Sequence, residues 1–319
     1  MKKPLIILTG PTAVGKTAAS IGLAKAIGGE IISADSMQVY RHMDIGSAKI
    51  RPKEMQGISH HLIDVLEPEE EFHVVKFQQM AKEALDGIYQ RGHIPIVVGG
   101  TGFYIQALLY DIDFKENNEK NPIRKELEQL AKELGDKAPG ALHEKLSHID
   151  PEAARQIHAN NIKRVIRAIE YFEQTGEKIS EHNEEMHQKE SPYNFLYYVL
   201  TRDRKTLYER IDKRVDIMIA NGLVKEIEKL KAMGCHRGQT SMQGLGYKEI
   251  LDYLDGSCTL DEAVYILKRD TRHFAKRQLT WFRRERDVRW LDLDRYQGNT
   301  DLILKDILKD CEEKRIVLK

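Results

Sequence analysis

Cysteine is scarce in this chain, with Cys235, Cys258 and Cys311 the only three among 319 residues. Their odd number and the lack of any CxxC spacing exclude a disulfide scaffold or a zinc ribbon and point to a reducing cytoplasm. Long hydrophobic runs are missing too. The longest uncharged stretch, Gly92 to Tyr110, contains Pro95, Gln106 and the glycines Gly92, Gly99, Gly100 and Gly102. A bilayer-crossing helix needs ~20 mostly apolar residues and rarely tolerates so many breakers. The opening MKKPLIIL has the charge and apolar onset of a secretion signal, but its apolar run stops after five residues. That is short of the ~7–15 residues a signal requires, so neither export nor membrane association is expected. Charge of one sign is absent as well: 50 Lys and Arg offset 50 Asp and Glu, so net charge argues neither for nor against a polyanionic partner. No repeat and no low-complexity tract occurs.

What is present is a soluble, well-charged composition, 41% hydrophobic and 31% charged with mean hydropathy −0.51. The length is about twice the ~150 residues of a typical domain. Its first third alternates strands and helices. LIILT (5–9) reads as a buried strand running into a glycine-bearing turn, and a helix follows from about Gly15 to Ile27, stopped by Gly28-Gly29. EIISA (30–34) is a second strand. Helical apolar spacing then runs from Val74 to Arg91, and IPIVVGG (94–100) forms a third strand. Strands joined by crossover helices predict a parallel α/β sheet. From about Asp111 the chain turns polar and helical, entered through DIDFKENNEKNP, until FLYYVL (195–200) restores a strand. A strand returning after ~80 helical residues predicts an inserted block: residues 1–110 with 195–319 form the core, and 111–194 the insertion. Beyond Lys205 the sequence reads as helices, interrupted by the glycine-rich 234–246.

Gly10-Pro11-Thr12-Ala13-Val14-Gly15-Lys16-Thr17 matches G-x-x-x-x-G-K-[ST] between a predicted strand and a predicted helix, the context in which this motif is a phosphate-binding loop. Glycines let successive N–H groups converge on an anion, and the helix N-terminus adds positive potential. Lys16 supplies a mobile charge, and the Thr17 hydroxyl is placed to ligate Mg²⁺. A P-loop NTPase-like core is therefore expected. Such a loop serves ATPases, kinases and other transferases alike, so the rest of the site must decide. The third strand ends in Gly99-Gly100-Thr101-Gly102 and the second in Ala34-Asp35-Ser36. Strand carboxyl ends line the ligand crevice of such sheets, which places Asp35 and Thr101 beside the loop. Turn or helix capping is the alternative role for each, and capping is compatible with ligand contact. Arg210 and Arg214 share a helix face after the fourth strand. A diphosphate clamp by one of them, Arg214 being the candidate, and a solvated face both fit this spacing.

The residues closely resemble the tRNA dimethylallyltransferases, also called tRNA isopentenyltransferases. The resemblance rests on GPTAVGKT, DSMQVYRHMDIGSAK (35–49), SHHLID (59–64), VVGGTGFYIQALL (97–109), the stretch 163–170, SMQGLGYKEI (241–250) and AKRQLTWFRR (275–284). It spans nearly the whole chain; Ser47 and Ile50 depart from the expected Thr and Pro. It implies transfer of a dimethylallyl group from dimethylallyl diphosphate to N6 of the adenosine 3′ of the anticodon, in tRNAs reading codons that begin with U. The loop would hold the diphosphate of the prenyl donor, with Mg²⁺ as the cofactor. The missing Cys/His set for a C-terminal zinc finger resembles the bacterial form. By the same resemblance Asp35 is the catalytic base, Thr101 and Lys16 assist, and Asp35, Ser36, Met37, Gln38 and Thr101 meet the flipped adenosine and its neighbours. Arg124, the segment Lys163, Arg164, Val165, Ile166, Arg167 and the segment Gln243, Gly244, Leu245, Gly246, Tyr247, Lys248 meet the tRNA. A cytoplasmic monomer is expected.

Two features invite other readings. His60-His61 with Asp64 suggests a metal site, but adjacent histidines diverge on most backbones, so structural roles are expected. The run from Lys268 to Arg289 has nine Lys or Arg against three acids, and serves either as a solvated face or as an RNA surface, with Phe274, Trp281 and Phe282 anchoring it. A small-molecule or nucleotide kinase with a helical lid is the rival enzyme, and an RNA-binding module retaining a dead nucleotide site is the non-enzymatic one.

Overall fold

The computed structural model describes residues 2–114, 122–297 and 299–316. Among these, six strands form one parallel sheet: β1 (Lys3–Thr9), β2 (Gly29–Ala34), β3 (His60–His61), β4 (Ile94–Gly99), β5 (Tyr193–Thr201) and β6 (Val288–Asp292), in the order β3-β2-β4-β1-β5-β6. The continuous apolar runs of β1, β2 and β4 are buried along nearly their whole length, as strands covered on both faces must be. Two helices follow the first two long strands: α1 (Lys16–Ile27) starts directly after the loop, and α2 (Pro52–Met55) is a short turn after β2. Next come α3 (Val74–Gln90) and α4 (Gly102–Leu109), on either side of β4.

The chain divides into two compact units, 1–109 with 192–319 and 110–191. The second unit is helical, comprising α5 (Pro122–Leu134), α6 (Ala138–Ile149), α7 (Pro151–Gln156), α8 (Ile162–Thr175) and α9 (Ile179–Gln188). It has its own core of Leu127, Leu142, Leu146, Val165, Ile166 and Ile169. Buried Asp150 joins three of its helices. It caps α7 through Ala153 N (2.9 Å) and accepts from Ser180 N (2.9 Å) and Ser180 Oγ (2.7 Å) at the start of α9. The polar entry to this block, residues 115–121, lies outside the described residues.

The first unit resumes with α10 (Arg204–Ala220), α11 (Leu223–Ala232), α12 (Tyr247–Leu254), α13 (Leu260–Phe282) and α14 (Thr300–Glu313). Two strands depart from the sequence reading: the two-residue β3, in a stretch read only as polar, and β6. VRWLD (288–292) is strand β6, pairing from Tyr197↔Val288 to Thr201↔Asp292, in a region read as helical. It is an edge strand with Arg289 and Trp290 exposed, so its pattern merges with the basic run before it and no alternation marks it. Among the described residues no helix is long and apolar enough to cross a membrane.

Away from the strand carboxyl ends, β2 opens with a buried acid. Glu30 accepts from Arg91 Nε and Nη2 (both 2.8 Å), His61 Nε2 (2.7 Å) and His93 Nδ1 (2.6 Å), while His60 Nδ1 bonds the Ile58 carbonyl (2.9 Å). The histidine pair thus diverges into two separate networks, and Asp64 pairs with buried Lys49. The Arg91 hydrogen bonds, opposed by burial and aided by the two histidines, lower the Glu30 pKa to about 2. A depressed carboxyl stabilises the fold above its ordinary pKa and loses that contribution as pH falls through the folded value. Wild type should therefore exceed Glu30→Gln in stability by about 3 kcal/mol near neutrality. The gap should shrink from about pH 4.5 down to about 2, as measured by denaturant unfolding across that range.

Candidate active site

The loop between β1 and α1 curls because Gly10 and Gly15 adopt φ of +147° and +119°. At Gly10 a Cβ would also lie 2.5 Å from the Leu200 carbonyl oxygen, so a side chain there is doubly excluded. The loop is held from outside by its carbonyls. Arg210 Nε donates to Ala13 O (2.9 Å) and Arg202 Nε to Val14 O (3.1 Å), while Arg202 is itself fixed by Asp294 (2.7 Å). In a trans peptide the N–H points opposite to the C=O, so bonding Val14 O outward turns the Gly15 N–H toward the loop interior. Lys16 Nζ donates to Gly10 O (2.9 Å) and Pro11 O (3.0 Å). Thr12 N donates to Gln278 Oε1 (2.9 Å), so its amide is already engaged and its hydroxyl is the group left for an anion.

Asp35 and Thr101 are brought together as expected, by register. Thr101 N donates to the carbonyl of Ala34, the residue before Asp35, at 3.2 Å. The turn role of Asp35 is seen directly, and the backbone carbonyl of Thr101 opens the next helix. Asp35 Oδ1 accepts from Met37 N (2.9 Å) and Gln38 N (3.3 Å), and Thr101 O accepts from Tyr104 N and Ile105 N at the start of α4. Among the described residues Asp35 Oδ2 makes no hydrogen bond, so half of the carboxylate remains free for other chemistry. Asp35, Lys16, Thr17, Ser33 and Gln38 line one cavity of about 60 Å³.

The charges there are coupled. Burial, with the charge of Arg214, lowers the Lys16 pKa to about 8, Asp35 opposing. Burial, then Arg210, lowers that of Arg214, again with Asp35 opposing. Of the helix-face pair on α10, Arg210 is therefore committed to the loop carbonyl, and Arg214 is the one that shares its field with both Lys16 and Asp35.

The remaining candidates divide by burial. Tyr247 is fully buried, with its hydroxyl donating to Glu226 (3.0 Å) and its ring against Gly46, where a Cβ would approach to 2.6 Å. The same Glu226 carboxylate accepts from Asp44, Ile45 and Gly46 N (3.0, 2.7 and 3.1 Å). Tyr247 thus supports the 35–49 block rather than presenting itself to a polymer, which corrects the contact expected of it. Met37 Sδ packs on Gly244, Gln243 is exposed with its amide on Arg237 O, Leu245 is half-buried, Gly246 begins α12, and Lys248 pairs with Glu249. Val165 and Ile166 are likewise corrected, since they lie in the helical unit's core, whereas Lys163 and Arg164 are exposed and Arg167 is half-buried. Within that unit, Arg124 and Arg167 converge on one buried carboxylate, Glu170 (3.8 and 3.1 Å).

Seven of the nine cations of the basic run fall into two groups. Lys268, Arg269, Arg272 and Arg289 pair with Asp216, Asp270, Asp212 and Asp310. Lys276, Arg277 and Arg284, with His273, Thr280 and Trp281, line a groove on the outer face of α13. Sequence reasoning missed Arg202, Glu170, Glu226 and Gln278. Arg202, Glu226 and Gln278 act through partners distant in sequence, and Glu170, though one turn from Arg167, gains its second arginine, Arg124, from another helix.

A family model described as IPP transferase matches residues 38–285, and one described as isopentenyl transferase matches residues 3–70. The chain belongs to the IPP transferase family. It matches curated relatives along nearly its full length. It is 62% identical to a tRNA dimethylallyltransferase of Lachnoclostridium phytofermentans, over 99% of each chain. It is 51% identical to that of Acetivibrio thermocellus, over 94% of this chain and 95% of the relative. Among solved structures it resembles the tRNA isopentenylpyrophosphate transferase of Bacillus halodurans (TM-score 0.73, 46% identity, 99% of this chain and 98% of that one). It also resembles a eukaryotic dimethylallyltransferase acting on tRNA (TM-score 0.83, 30% identity, 99% of this chain and 81% of that one).

For this family member, the lowered Lys16 pKa makes anion binding pH-dependent. The ammonium is charged below about pH 8 and neutral above it. The advantage of wild type over Lys16→Ala in affinity for inorganic diphosphate, a ratio from which the ligand's own titration cancels, should thus be constant below that value and fall by about tenfold per unit above it. Titration calorimetry of both proteins across the range checks this.

Proposed function

We propose that this chain transfers the dimethylallyl group of dimethylallyl diphosphate to N6 of the adenosine 3′ of the anticodon, in cytoplasmic tRNAs reading codons that begin with U, and releases diphosphate. The observation that carries this reading is the adjacency of a phosphate-gripping loop and a half-free carboxylate, Asp35, in a member of this family. The core is read as P-loop NTPase-like, with the loop turned from nucleotide phosphates to the diphosphate of the prenyl donor.

An adenine amino group is a weak nucleophile because its lone pair is delocalised into the ring, but it becomes strongly acidic as it bonds to the allylic carbon. A carboxylate of ordinary pKa can then remove the proton. Asp35 Oδ2 takes that role, while Oδ1 stays fixed by the two amides that hold the side chain in place. As the N6–carbon bond forms, the carbon–oxygen bond to diphosphate breaks, the electron pair leaves on the diphosphate oxygen, and the N6 proton passes to Asp35. Charge developing on the leaving oxygen needs donors fixed in advance. Lys16, the Gly15 amide, the Thr12 and Thr101 hydroxyls and Arg214 supply them. Lys16 exchanges its two loop carbonyls for phosphate oxygens.

The residues present fit Mg²⁺, because Thr17 lies beside the phosphate loop and lines a cavity with Asp35 and Ser33. That ion usually keeps several waters and shares substrate phosphates rather than requiring a full protein cage. Thr17 would hold it, and its charge would neutralise the departing diphosphate. The adenosine must leave its stack to reach such a pocket, and Gln38, with both a donor and an acceptor, suits a base edge. The groove on α13, the exposed cations Lys163 and Arg164, and half-buried Arg167, with Arg124 and Lys248, are assigned to the tRNA backbone.

The deciding experiment incubates the protein with Mg²⁺, labelled dimethylallyl diphosphate and unmodified tRNA. Label should enter the RNA. Transfer of phosphate from ATP to a small molecule instead would establish a kinase, and neither reaction would leave only a binding module. Asp35→Ala should lower turnover by about 10²–10⁴-fold with tRNA affinity retained; wild-type rates would remove Asp35 from the chemistry. Glu170→Gln, which releases both arginines, should raise KM for tRNA about fivefold and leave KM for the prenyl donor unchanged.

A further inference from the structure

Helix α13 turns two faces to different tasks. Its outer face lines the basic groove; its inner face carries Gln278, 6% exposed. The Gln278 side-chain amide spans two loops that are remote in sequence. Its Oε1 accepts from Thr12 N, and its Nε2 donates to Gly100 O, both at 2.9 Å. One partner is an N–H and the other a C=O, so the pattern fixes which way the amide faces. Glutamate lacks the donor, lysine lacks the acceptor, and leucine lacks both. Gly100 is built to receive the side chain, since a Cβ there would lie 2.2 Å from Nε2. One turn on, Trp281 closes over Gly102 in the same way, with a Cβ there 2.2 Å from its ring.

Thr12 belongs to the loop that grips the leaving group. Gly100 immediately precedes Thr101, whose N–H is tied to Ala34 beside Asp35. We infer that Gln278 is a positioning residue for prenyl transfer, locking the diphosphate-binding loop and the Thr101 turn into one geometry so that the leaving group and the accepting amine face each other. This rests on the function proposed above. Without the strut, Thr12 N–H and Gly100 O lose a shared partner, and the two loops can drift independently. Displacements of about 1 Å in a reacting pair can cost on the order of 10²-fold in rate.

The test uses the full chain in the tRNA assay. Gln278→Ala should retain a cooperative thermal transition, lower kcat at least about tenfold and raise KM for dimethylallyl diphosphate severalfold, with KM for tRNA within about twofold of wild type. Gly100→Ala approaches the same contact from the other side: its methyl group displaces Nε2 and should reproduce the defect. Once Gln278 is alanine the obstacle is gone, so the double variant should be no worse than Gln278→Ala alone. A folded Gln278→Ala with kcat within twofold of wild type overturns the inference, as do losses that simply add in the double variant or a change confined to KM for tRNA. Should Gln278→Ala fail to fold, Gly100→Ala carries the test, and wild-type kinetics in it are equally fatal. Wild type run alongside separates the two claims: no transfer by wild type removes the proposed function, whereas transfer at equal rates by wild type and variant removes only the role of Gln278.

Discussion

Gly99 is the constraint on which the site depends. In the sheet it pairs with Thr9 on one side and Ala34 on the other. The last residues of β1, β2 and β4 therefore end level, and the three segments that leave them start side by side. The contact is too close for any side chain, because a Cβ at Gly99 would sit 2.1 Å from the Ala34 carbonyl oxygen. Thr9 Oγ1 adds a bond to the Gly99 carbonyl at 2.6 Å. A phosphate loop, an aspartate turn and a threonine turn converge as a consequence of strand register, before any of their own side chains interact.

The convergence then has to be held against the freedom of three glycine-containing loops, and the means differ for each. The aspartate turn is fixed locally, by Asp35 on its own following amides. The phosphate loop and the threonine turn are fixed from a distance, by Arg202, Arg210 and Gln278. These three struts come from the ends or middle of elements that follow the helical insertion, so the loop defined in the first twenty residues takes its shape from residues nearly two hundred or more positions later. That the two arginines bind the loop only at carbonyls, those of Ala13 and Val14, has a chemical consequence. It holds the peptide units with their amides inward while leaving the anion-facing side unblocked.

This division explains what could be read from the sequence. The alternating strands and helices, the phosphate loop and the placement of Asp35 and Thr101 at strand ends were legible because each rests on local periodicity or on a short spacing with a mechanical cause. Strand β6 was not, because an edge strand of five residues with an outward Arg289 and Trp290 shows no alternation. Gln278 was hidden among cations in AKRQLTWFRR, where charge suggests a solvated or RNA-facing surface. Only the packed helix reveals that its inner face belongs to the crevice. Glu226 was silent, an ordinary helix glutamate until the 44–46 amides and Tyr247 are brought to it, and Glu170 showed only its local pair with Arg167 until Arg124 joins from another helix.

Membership in a characteristic segment is therefore not the same as contact with a ligand. Val165 and Ile166 stand in a block with Lys163, Arg164 and Arg167, yet helical periodicity sends the two apolar residues to the core, Lys163 and Arg164 outward, and Arg167 to the half-buried edge beside Glu170. Tyr247 stands in SMQGLGYKEI and is wholly enclosed, spending its hydroxyl on the glutamate that also gathers three successive amides of the 44–46 turn. Glu226 receives four donors, and a carboxylate so loaded holds backbone more firmly than neutral pairs do. The aromatic ring and the acid together fix the far end of the block that begins at Asp35. Motif positions of this kind constrain the residues that do chemistry without touching what those residues touch, and their substitution would be felt as misplacement rather than as loss of a contact.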